Sequence, residues 1–280
     1  MNTFNTNMFQ SIKAALSKNE ERATPGLYNE ILKTVPGNTY TVRLLPFAKD
    51  PSKTFFHYYI HGWTSFASGQ YVQAVSPQTF NERDPISEER FRVLRNGTET
   101  EKDKMQAVRR SEKWLVNVYV VEDPTNPENN GTVKLLRYGK QLQKIIMEAI
   151  EGEDADEFGP RIFDLGSDGV NLKVKVEQQG DYPTYVSSRF TSTGKLNLTS
   201  EEQEQIYKKT FNLEEVFTIK TYDELKQMID EHIYVTSDVS KPDTITSATT
   251  KPVPAPVKSV VTVPVESTIE DEIDLLLKGL

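Results

Sequence analysis

The sequence predicts a mainly β protein with peripheral helices, and its hydropathy pattern is the reason. Most of residues 37–150 and 160–220 alternate apolar and polar side chains, which is the period of a half-buried strand. Two shorter segments, 140–150 and 221–233, place apolar residues at helical spacing instead. With 280 residues the chain is long enough for one large domain or two small ones with a hydrophobic core.

The elements can be assigned in chain order. A helical arm is predicted over residues 1–35, where Met8, Ile12 and Leu16 recur on one face. A helix is also predicted after the fifth strand, and a second amphipathic helix at 221–233. The predicted strands are the alternating segments YTVRLLPF, FFHYYIHGW, QYVQAV, WLVNVYVV, TVKLLRY and VNLKVKVEQ.

The C-terminal region has a different composition. Residues 236–267 are rich in Thr, Ser, Pro, Val and Lys and cannot bury enough apolar surface to offset the entropy of ordering them. We interpret them as a disordered, flexible tether. The final residues, 268–280, are first acidic and then leucine-rich. The sequence thus divides into an arm at 1–35, a core at 36–235, a linker at 236–267 and a terminal peptide at 268–280.

Charge is unevenly distributed along the chain. The net charge of −8, taken alone, argues against a nucleic-acid partner. Between residues 102 and 144, however, nine Lys and Arg residues accompany five Asp and Glu residues, so basic surface is concentrated there. The N-terminus has no apolar signal segment, and no stretch approaches the roughly 18–20 apolar residues that span a bilayer. We therefore expect a soluble intracellular protein with no membrane partner.

Motifs for catalysis are missing from the sequence. The chain has no cysteine, which excludes disulfides, thiol catalysis and cysteine-ligated metal sites. It has no G-x-S-x-G, no P-loop and no G-x-G-x-x-G sequence. The acidic run at 151–159 lacks EF-hand spacing and is interpreted as a solvated loop, with a metal-dependent nuclease as the alternative. We therefore expect that the protein is not an enzyme.

The strand pattern and three cationic, aromatic segments point to one kind of binding. Short strands with a helix between the later ones favour a small, partly open barrel of the OB type. Such barrels bind single strands by combining a cationic groove with exposed rings on which bases stack. The alternative is that these rings simply pack within strands. The segments are RRSEKW (109–114), RYGK (137–140) and DYPTY (181–185).

The central segment, KWLVNVYVVEDPTNPENNGTVKLLRYGKQLQKI, resembles the single-stranded DNA-binding (helix-destabilising) protein family of T-even-type bacteriophages. Both have a strand that ends in V-V, a polar turn, a second strand and then R-aromatic-G-K. VRLLP with HGW, and LKVKVEQQGDYPTYVSSRF, fit the family's earlier and later strands. The matching central residues are Val120, Val121, Asp123, Pro124, Pro127, Glu128, Asn129, Gly131, Arg137, Tyr138, Gly139 and Lys140.

The resemblance implies a function. Members coat and protect single-stranded DNA without sequence preference during phage replication, recombination and repair, so the expected location is the cytoplasm of an infected bacterial host. Two alternatives stay open: an RNA-binding regulator with an OB-type barrel, and a non-catalytic adaptor protein. Carried over by position, the DNA-binding residues are Arg43, Tyr71, Arg109, Arg110, Trp114, Arg137, Tyr138, Lys140, Tyr182 and Tyr185.

These residues are expected to line one groove. Arg109 and Arg110 fall where the family has a basic pair on the DNA backbone, and Trp114 replaces a stacking tyrosine. Gly131 lets the chain reverse in the polar turn, and the strands on either side would carry Trp114 and Arg137 into the same groove. The expected phosphate contacts are Arg43, Arg137 and Lys140.

The zinc site that the resemblance implies is altered. The best-known members hold zinc with one histidine and three cysteines. Here His61 occupies the histidine position, while Asp84 and Ser87 stand in place of a cysteine pair; His57 is interpreted as a packed or surface residue. Because tetrahedral structural zinc needs four good ligands, we predict a variant without zinc or any other cofactor. Its lobe at about 55–108 would be held by its own packing.

Both ends of the chain are expected to contact proteins. The family's N-terminal arm drives cooperative filament formation through a compact basic and hydroxyl motif, whereas the first twenty residues here offer only Lys13 and Lys18 with Ser11 and Ser17. An amphipathic helix docking on the neighbouring protomer would substitute, giving self-association along DNA. The terminal peptide would recruit phage replication and recombination proteins and compete with DNA; the alternative is a solvated, fraying end. Its partner-binding residues would be Glu270, Asp271, Glu272, Asp274, Leu275 and Leu276.

Overall fold

The computed structural model describes residues 26–180, 182–191 and 196–234. The predicted helical arm falls mainly in residues 1–25, and the tether and the terminal peptide fall in 235–280. These predictions, and the six partner-binding residues of the peptide, lie outside the described residues.

Nine strands and five α-helices form within the described residues. None of these helices is long and apolar enough to cross a membrane. The helices are α1 (Pro85–Asn96), α2 (Glu99–Ala107), α3 (Lys140–Glu151), α4 (Ser200–Lys208) and α5 (Tyr222–Ile229). The strands are β1 (Thr39–Leu45), β2 (Phe55–Thr64), β3 (Tyr71–Val75), β4 (Arg109–Glu122), β5 (Val133–Tyr138), β6 (Asn171–Lys175), β7 (Glu177–Gln179), β8 (Tyr182–Thr184) and β9 (Arg189–Thr191).

Seven of the described strands form one antiparallel sheet in the order β3-β2-β4-β1-β6-β9, with β5 paired to β4. The strands β7 and β8 form a separate pair. The order begins at β3 and ends at β9, so the sheet is open. The six predicted strands correspond to β1–β6 and the two helices predicted after the strands to α3 and α5. The mainly β prediction is confirmed.

Three helices differ from the prediction, because α1, α2 and α4 lie where strands were expected to dominate. The helix α1 begins after Asp84, whose carboxylate caps it, with Pro85 in the first position. The helix α2 begins with a reciprocal capping box between Thr98 and Glu101, and α4 begins with the same motif. Local capping chemistry therefore fixes where these helices start.

The chain divides into two compact units, each of which is described by itself. The lobe predicted at about 55–108 overlaps the largest segment of the second unit. Of the described residues, the first unit comprises 26–57, 113–177, 184–191 and 196–218, and the second comprises 58–112, 178–180, 182–183 and 219–234.

In the first unit, the middle of strand β4, residues 115–120, is buried on both faces. Val116 and Val118 pack with Ile146 of α3 into one hydrophobic core. Tyr119, which points to the opposite face, packs into a second core with Ile206 of α4. Because side chains alternate along a strand, Val116, Val118 and Val120 face the first core, whereas Tyr119 and Val121 face the second.

The second unit has a core of its own. Trp63 of β2 is 2% exposed and packs with side chains from three helices. The buried members from those helices are Ile86 and Val93 of α1, Met105 of α2, and Leu225 and Ile229 of α5. The helices of this unit are therefore held by apolar burial as well as by their caps.

The polar turn between β4 and β5 is organised by one carboxylate. Asp123 is 2% exposed, and its Oδ1 accepts hydrogen bonds from the backbone N–H groups of Thr125 and Asn126 at 2.9 Å each. Its Oδ2 accepts one from Nδ2 of Asn129 at 2.7 Å. Burial acts to raise the pKa of Asp123, but these bonds outweigh it and hold the pKa below its usual range. Gly131 has φ +78° and, as predicted, lets the chain reverse.

Asp123→Asn is expected to lower the free energy of unfolding at neutral pH by about 1–3 kcal/mol, because the new Nδ2 would face a donor of Asn129. The folded-state pKa of Asp123 lies below its unfolded value, so the ionised carboxylate stabilises the fold above the unfolded pKa. That contribution is lost as the pH falls through the folded-state pKa. Urea unfolding between about pH 3 and pH 7 should show the difference between wild type and variant shrinking below about pH 4. A difference that is constant with pH would contradict this account.

Candidate nucleic-acid interface

Three aromatic rings of the first unit form a stack across neighbouring strands. Trp114 of β4 and Tyr138 of β5 are register partners, and their ring centroids lie 6.2 Å apart with planes at 16°. His57 of β2 stacks on Trp114 with centroids 4.8 Å apart and planes at 22°. Trp114 is half-buried against the core, whereas His57 is exposed. The stack therefore reaches solvent at His57.

Tyr138 supports this stack from inside the protein. Its side chain is 3% exposed, and its hydroxyl donates to Oε1 of Gln143 at 3.0 Å. Burial raises the pKa of Tyr138 far above its usual range, so the hydroxyl stays protonated. The prediction that Tyr138 contacts DNA is wrong, because a base has no access to the buried ring. The ring backs Trp114 instead.

Arg137 lies on the opposite face of β5 from the stack. Because Tyr138 is paired with Trp114 and side chains alternate along a strand, Arg137 shares its face with Leu115. The prediction that the two strands carry Trp114 and Arg137 into one groove is therefore wrong. The guanidinium of Arg137 lies 6.0 Å from the ring centroid of Tyr28, and its Nη1 donates to the Tyr28 hydroxyl at 3.4 Å.

The start of α3 places two further candidates. Lys140 is exposed at the first position of the helix, where a cation gains nothing from the helix dipole. The neighbouring Gln141 accepts at Oε1 a hydrogen bond from the backbone N–H of Tyr185 at 2.9 Å. The Tyr185 hydroxyl lies 3.0 Å from Oγ1 of Thr34, and the ring is half-buried against the core. Lys140 is thus accessible to a phosphate, and Tyr185 presents part of its ring.

Arg43 lies inside the first unit. Its Nη1 donates to the backbone carbonyls of Asp164 at 2.9 Å and Gly166 at 2.8 Å, and its Nε donates to Oδ1 of Asn171 at 2.8 Å. The side chain is 0% exposed, and burial lowers its pKa. The prediction that Arg43 contacts phosphate is wrong. A guanidinium that is enclosed by carbonyl oxygens fastens a loop to β1 instead.

In the second unit the basic pair opens strand β4. Arg109 is exposed, and Arg110 is half-buried with its guanidinium 4.7 Å from the ring centroid of Tyr59. Nη1 of Arg110 also donates to Oε1 of Gln78. Arg110 is therefore held between a ring and an amide, and both cations of the pair are at least partly accessible to solvent. A third candidate of this unit, Tyr182 of β8, is 44% exposed.

Tyr71 of β3 lies against a glycine of the neighbouring strand. A Cβ at Gly62 would come within 2.0 Å of the Tyr71 hydroxyl, so the missing side chain makes room for the tip of the ring. Tyr71 is 42% exposed. The ring is therefore seated on β2 and still accessible to a ligand.

Comparison with known proteins places the chain in a family. Residues 37–232 match the family described as gp32 DNA binding protein like. The chain belongs to this family. Two relatives, each named single-stranded DNA-binding protein, come from Enterobacteria phages T4 and T2 and are 25% identical to the chain over 191 residues. The match covers 66% of this chain and 62% of each relative, so it spans less than two thirds of their length.

Membership confirms the resemblance to T-even-type phage proteins and agrees with the expectation of a binding protein rather than an enzyme. All ten residues predicted to bind DNA lie within the matched segment 37–232. Sequence reasoning missed three aromatic side chains that contact the candidates: His57, Tyr59 and Tyr28. The alternation in FFHYYIHGW was the available signal for the first two, whereas no motif marked Tyr28.

A single carboxylate, that of Asp84, is surrounded by hydrogen-bond donors at the position where the resemblance implies a zinc ligand. Nε2 of His61 lies 2.6 Å from Oδ2 of Asp84, and both side chains are buried. The same oxygen accepts hydrogen bonds from the hydroxyls of Ser76 and Ser87, and Oδ1 accepts one from the backbone N–H of Ile86 at 3.0 Å. Burial acts to raise the pKa of Asp84, but the hydrogen bonds from His61 and its neighbours hold it far below its usual range.

These side chains do not fit a structural zinc ion. Oδ2 of Asp84 is already bonded to His61 and two hydroxyls, and the chain has no thiolate to complete a tetrahedral set. Across 26–180, 182–191 and 196–234, no group of three or more His, Asp or Glu side chains is placed to hold a metal.

Proposed function

We propose that this chain binds single-stranded DNA without sequence preference and coats and protects it during phage replication, recombination and repair. Membership in the gp32-like family over residues 37–232 carries the proposal, together with the two phage relatives that are named single-stranded DNA-binding protein. Within that segment each unit combines accessible aromatic rings with cations, the composition that single-strand binders use.

Aromatic rings and cations would divide the binding between them. In the first unit a base would stack on the His57–Trp114 pair, and in the second on Tyr71 or Tyr182. Stacking contributes about 1–3 kcal/mol per base and tolerates any sequence, because every base has a π-face. Because Arg43 is buried, four of the predicted cations are left to contact phosphates. They are Arg109, Arg110, Arg137 and Lys140.

The regions outside the DNA-binding residues would determine which other molecules the protein associates with. The net charge of −8 opposes non-specific association outside the basic residues. We place the recruitment of phage replication and recombination proteins, and competition with DNA, on the acidic residues of 268–280. Self-association along DNA would use the N-terminal arm. The protein would act in the cytoplasm of the infected bacterial host.

A titration with dT oligomers of increasing length, followed by tryptophan fluorescence, tests this function. Four phosphate contacts predict a log–log slope of affinity against salt of about −3, because a single strand contributes about −0.7 per contact. Trp63 is 2% exposed, so quenching would report on Trp114, the other of the two tryptophans. An RNA of matched length is the competitor. Preference for the RNA would favour the RNA-binding regulator, and no binding to either strand would favour the adaptor.

A further inference from the structure

The cluster around Asp84 joins three segments of the second unit. His61 belongs to β2, Ser76 follows β3, and Asp84 with Ser87 forms the start of α1. Every one of these side chains bonds to the same carboxylate, and Asp84 itself is 2% exposed. Removing the carboxylate would leave a buried imidazole and a buried hydroxyl without an acceptor, which is the costly way to lose a hydrogen bond.

Two of these segments also carry the groups that hold Arg110. Tyr59 precedes His61 by two residues on β2, and Gln78 follows Ser76 by two residues. The backbone joins them directly, because the N–H of Ser76 donates to the carbonyl of Tyr59 at 2.9 Å. The Tyr59 ring and the Gln78 amide that contact Arg110 therefore belong to the same two backbone segments that the Asp84 carboxylate joins.

We propose that the Asp84 carboxylate holds the second unit together without a metal and, through Tyr59 and Gln78, positions Arg110 for binding a phosphate. The second part rests on the proposed function. Asp84 is a positioning residue, since its carboxylate is turned inward to His61, Ser76 and Ser87. The carboxylate is a fixed, ionised acceptor with five donors around it, so it gives a rigid junction that depends on neither zinc nor a thiol.

The metal part is tested on the wild-type full chain without DNA. Elemental analysis of protein purified in chelator is expected to show no stoichiometric zinc. The Tm is expected to be the same with chelator and with added Zn²⁺, whereas Asp84→Asn should lower it by about 5 °C or more. Equimolar zinc, or a Tm that falls in chelator, would overturn the metal-free junction. So would an Asp84→Asn variant as stable as wild type.

The positioning part is tested by salt dependence with dT oligomers, at a temperature where each variant is folded. Arg110→Ala should reduce the salt slope by about 0.7, and Asp84→Asn should reduce it by a similar amount. The double variant should bind within about twofold of Arg110→Ala, because both changes remove one contact. Ser76→Ala, which removes a single donor, replaces Asp84→Asn if that variant does not fold.

Asp50→Asn is the matched control. Asp50 also caps a helical turn and accepts from the N–H and hydroxyl of Ser52, but it lies in the first unit on the surface. The salt slope of dT binding by Asp50→Asn should equal that of wild type. A full slope in Asp84→Asn, or additive losses in the double variant, would overturn positioning. If wild type does not bind dT, the proposed function and the positioning role fall together, while the metal experiment stands by itself.

Discussion

Replacing Arg43 by methionine is expected to lower the free energy of unfolding by about 3 kcal/mol or more, while dT affinity stays at the wild-type value wherever the variant is folded. The guanidinium is 0% exposed and is the donor to the carbonyls of Asp164 and Gly166. Methionine fills much of the volume and donates nothing, so these acceptors and Oδ1 of Asn171 would be buried without partners. Urea unfolding and the dT titration measure the two quantities separately.

Arg161→Met is the matched control for Arg43. Arg161 also donates to two backbone carbonyls, those of Asp168 at 2.8 Å and Glu157 at 2.9 Å, but its side chain is half-exposed. Water replaces its hydrogen bonds, so the loss of stability should be about 1 kcal/mol. A stable Arg43→Met variant with weakened DNA binding would reverse the assignment and restore Arg43 as a phosphate contact.

Arg43 shows why strand pattern alone misplaces a cation. VRLLP predicts a strand, and a basic residue within a strand is ordinarily solvent-exposed. Burial of Arg43 depends on acceptors that lie more than 120 residues further along the chain, at Asp164 and Asn171. Nothing local to residues 42–46 contains that information.

The sequence could predict only in part which strand face carries the aromatic rings and which carries Arg137. The pairing of Trp114 with Tyr138 requires the register of β4 and β5, which the length of the turn after Asp123 decides. The separation of Arg137 from Tyr138 needs less, because consecutive strand residues point to opposite faces. Counting by two along RYGK would have shown that Arg137 and Tyr138 cannot both share a groove with Trp114, and the register then decides that Tyr138 does.

The two helices α1 and α2 of the second unit were not predicted from the sequence, for a different reason. Residues 85–96 and 99–107 are rich in charge, and their weak apolar stripe does not stand out from the alternating segments around them. Their start signals were present, as Asp84-Pro85 and as Thr98 with Glu101. Capping motifs were therefore more informative here than hydropathy period.

Trp114→Leu is expected to weaken dT binding by about tenfold or more. The ring stacks with exposed His57 on one strand and buried Tyr138 on another, so it is the middle ring of a stack of three. One stacked base contributes about 1–3 kcal/mol, and leucine keeps the apolar contact with the core while removing the π-face. Since the tryptophan signal is lost, affinity is measured by competition with a labelled dT oligomer.

Two further variants separate stacking from support. Tyr138→Phe keeps the backing ring and removes only the hydroxyl bond to Gln143, so affinity should stay within about twofold while stability falls by about 1 kcal/mol. His57→Ala removes the exposed ring and should weaken binding less than Trp114→Leu, because the indole then offers its uncovered face to a base. If Trp114→Leu binds dT as tightly as wild type, the stack is a packing feature of the sheet, and the bases must be held by Tyr185 or by the rings of the second unit.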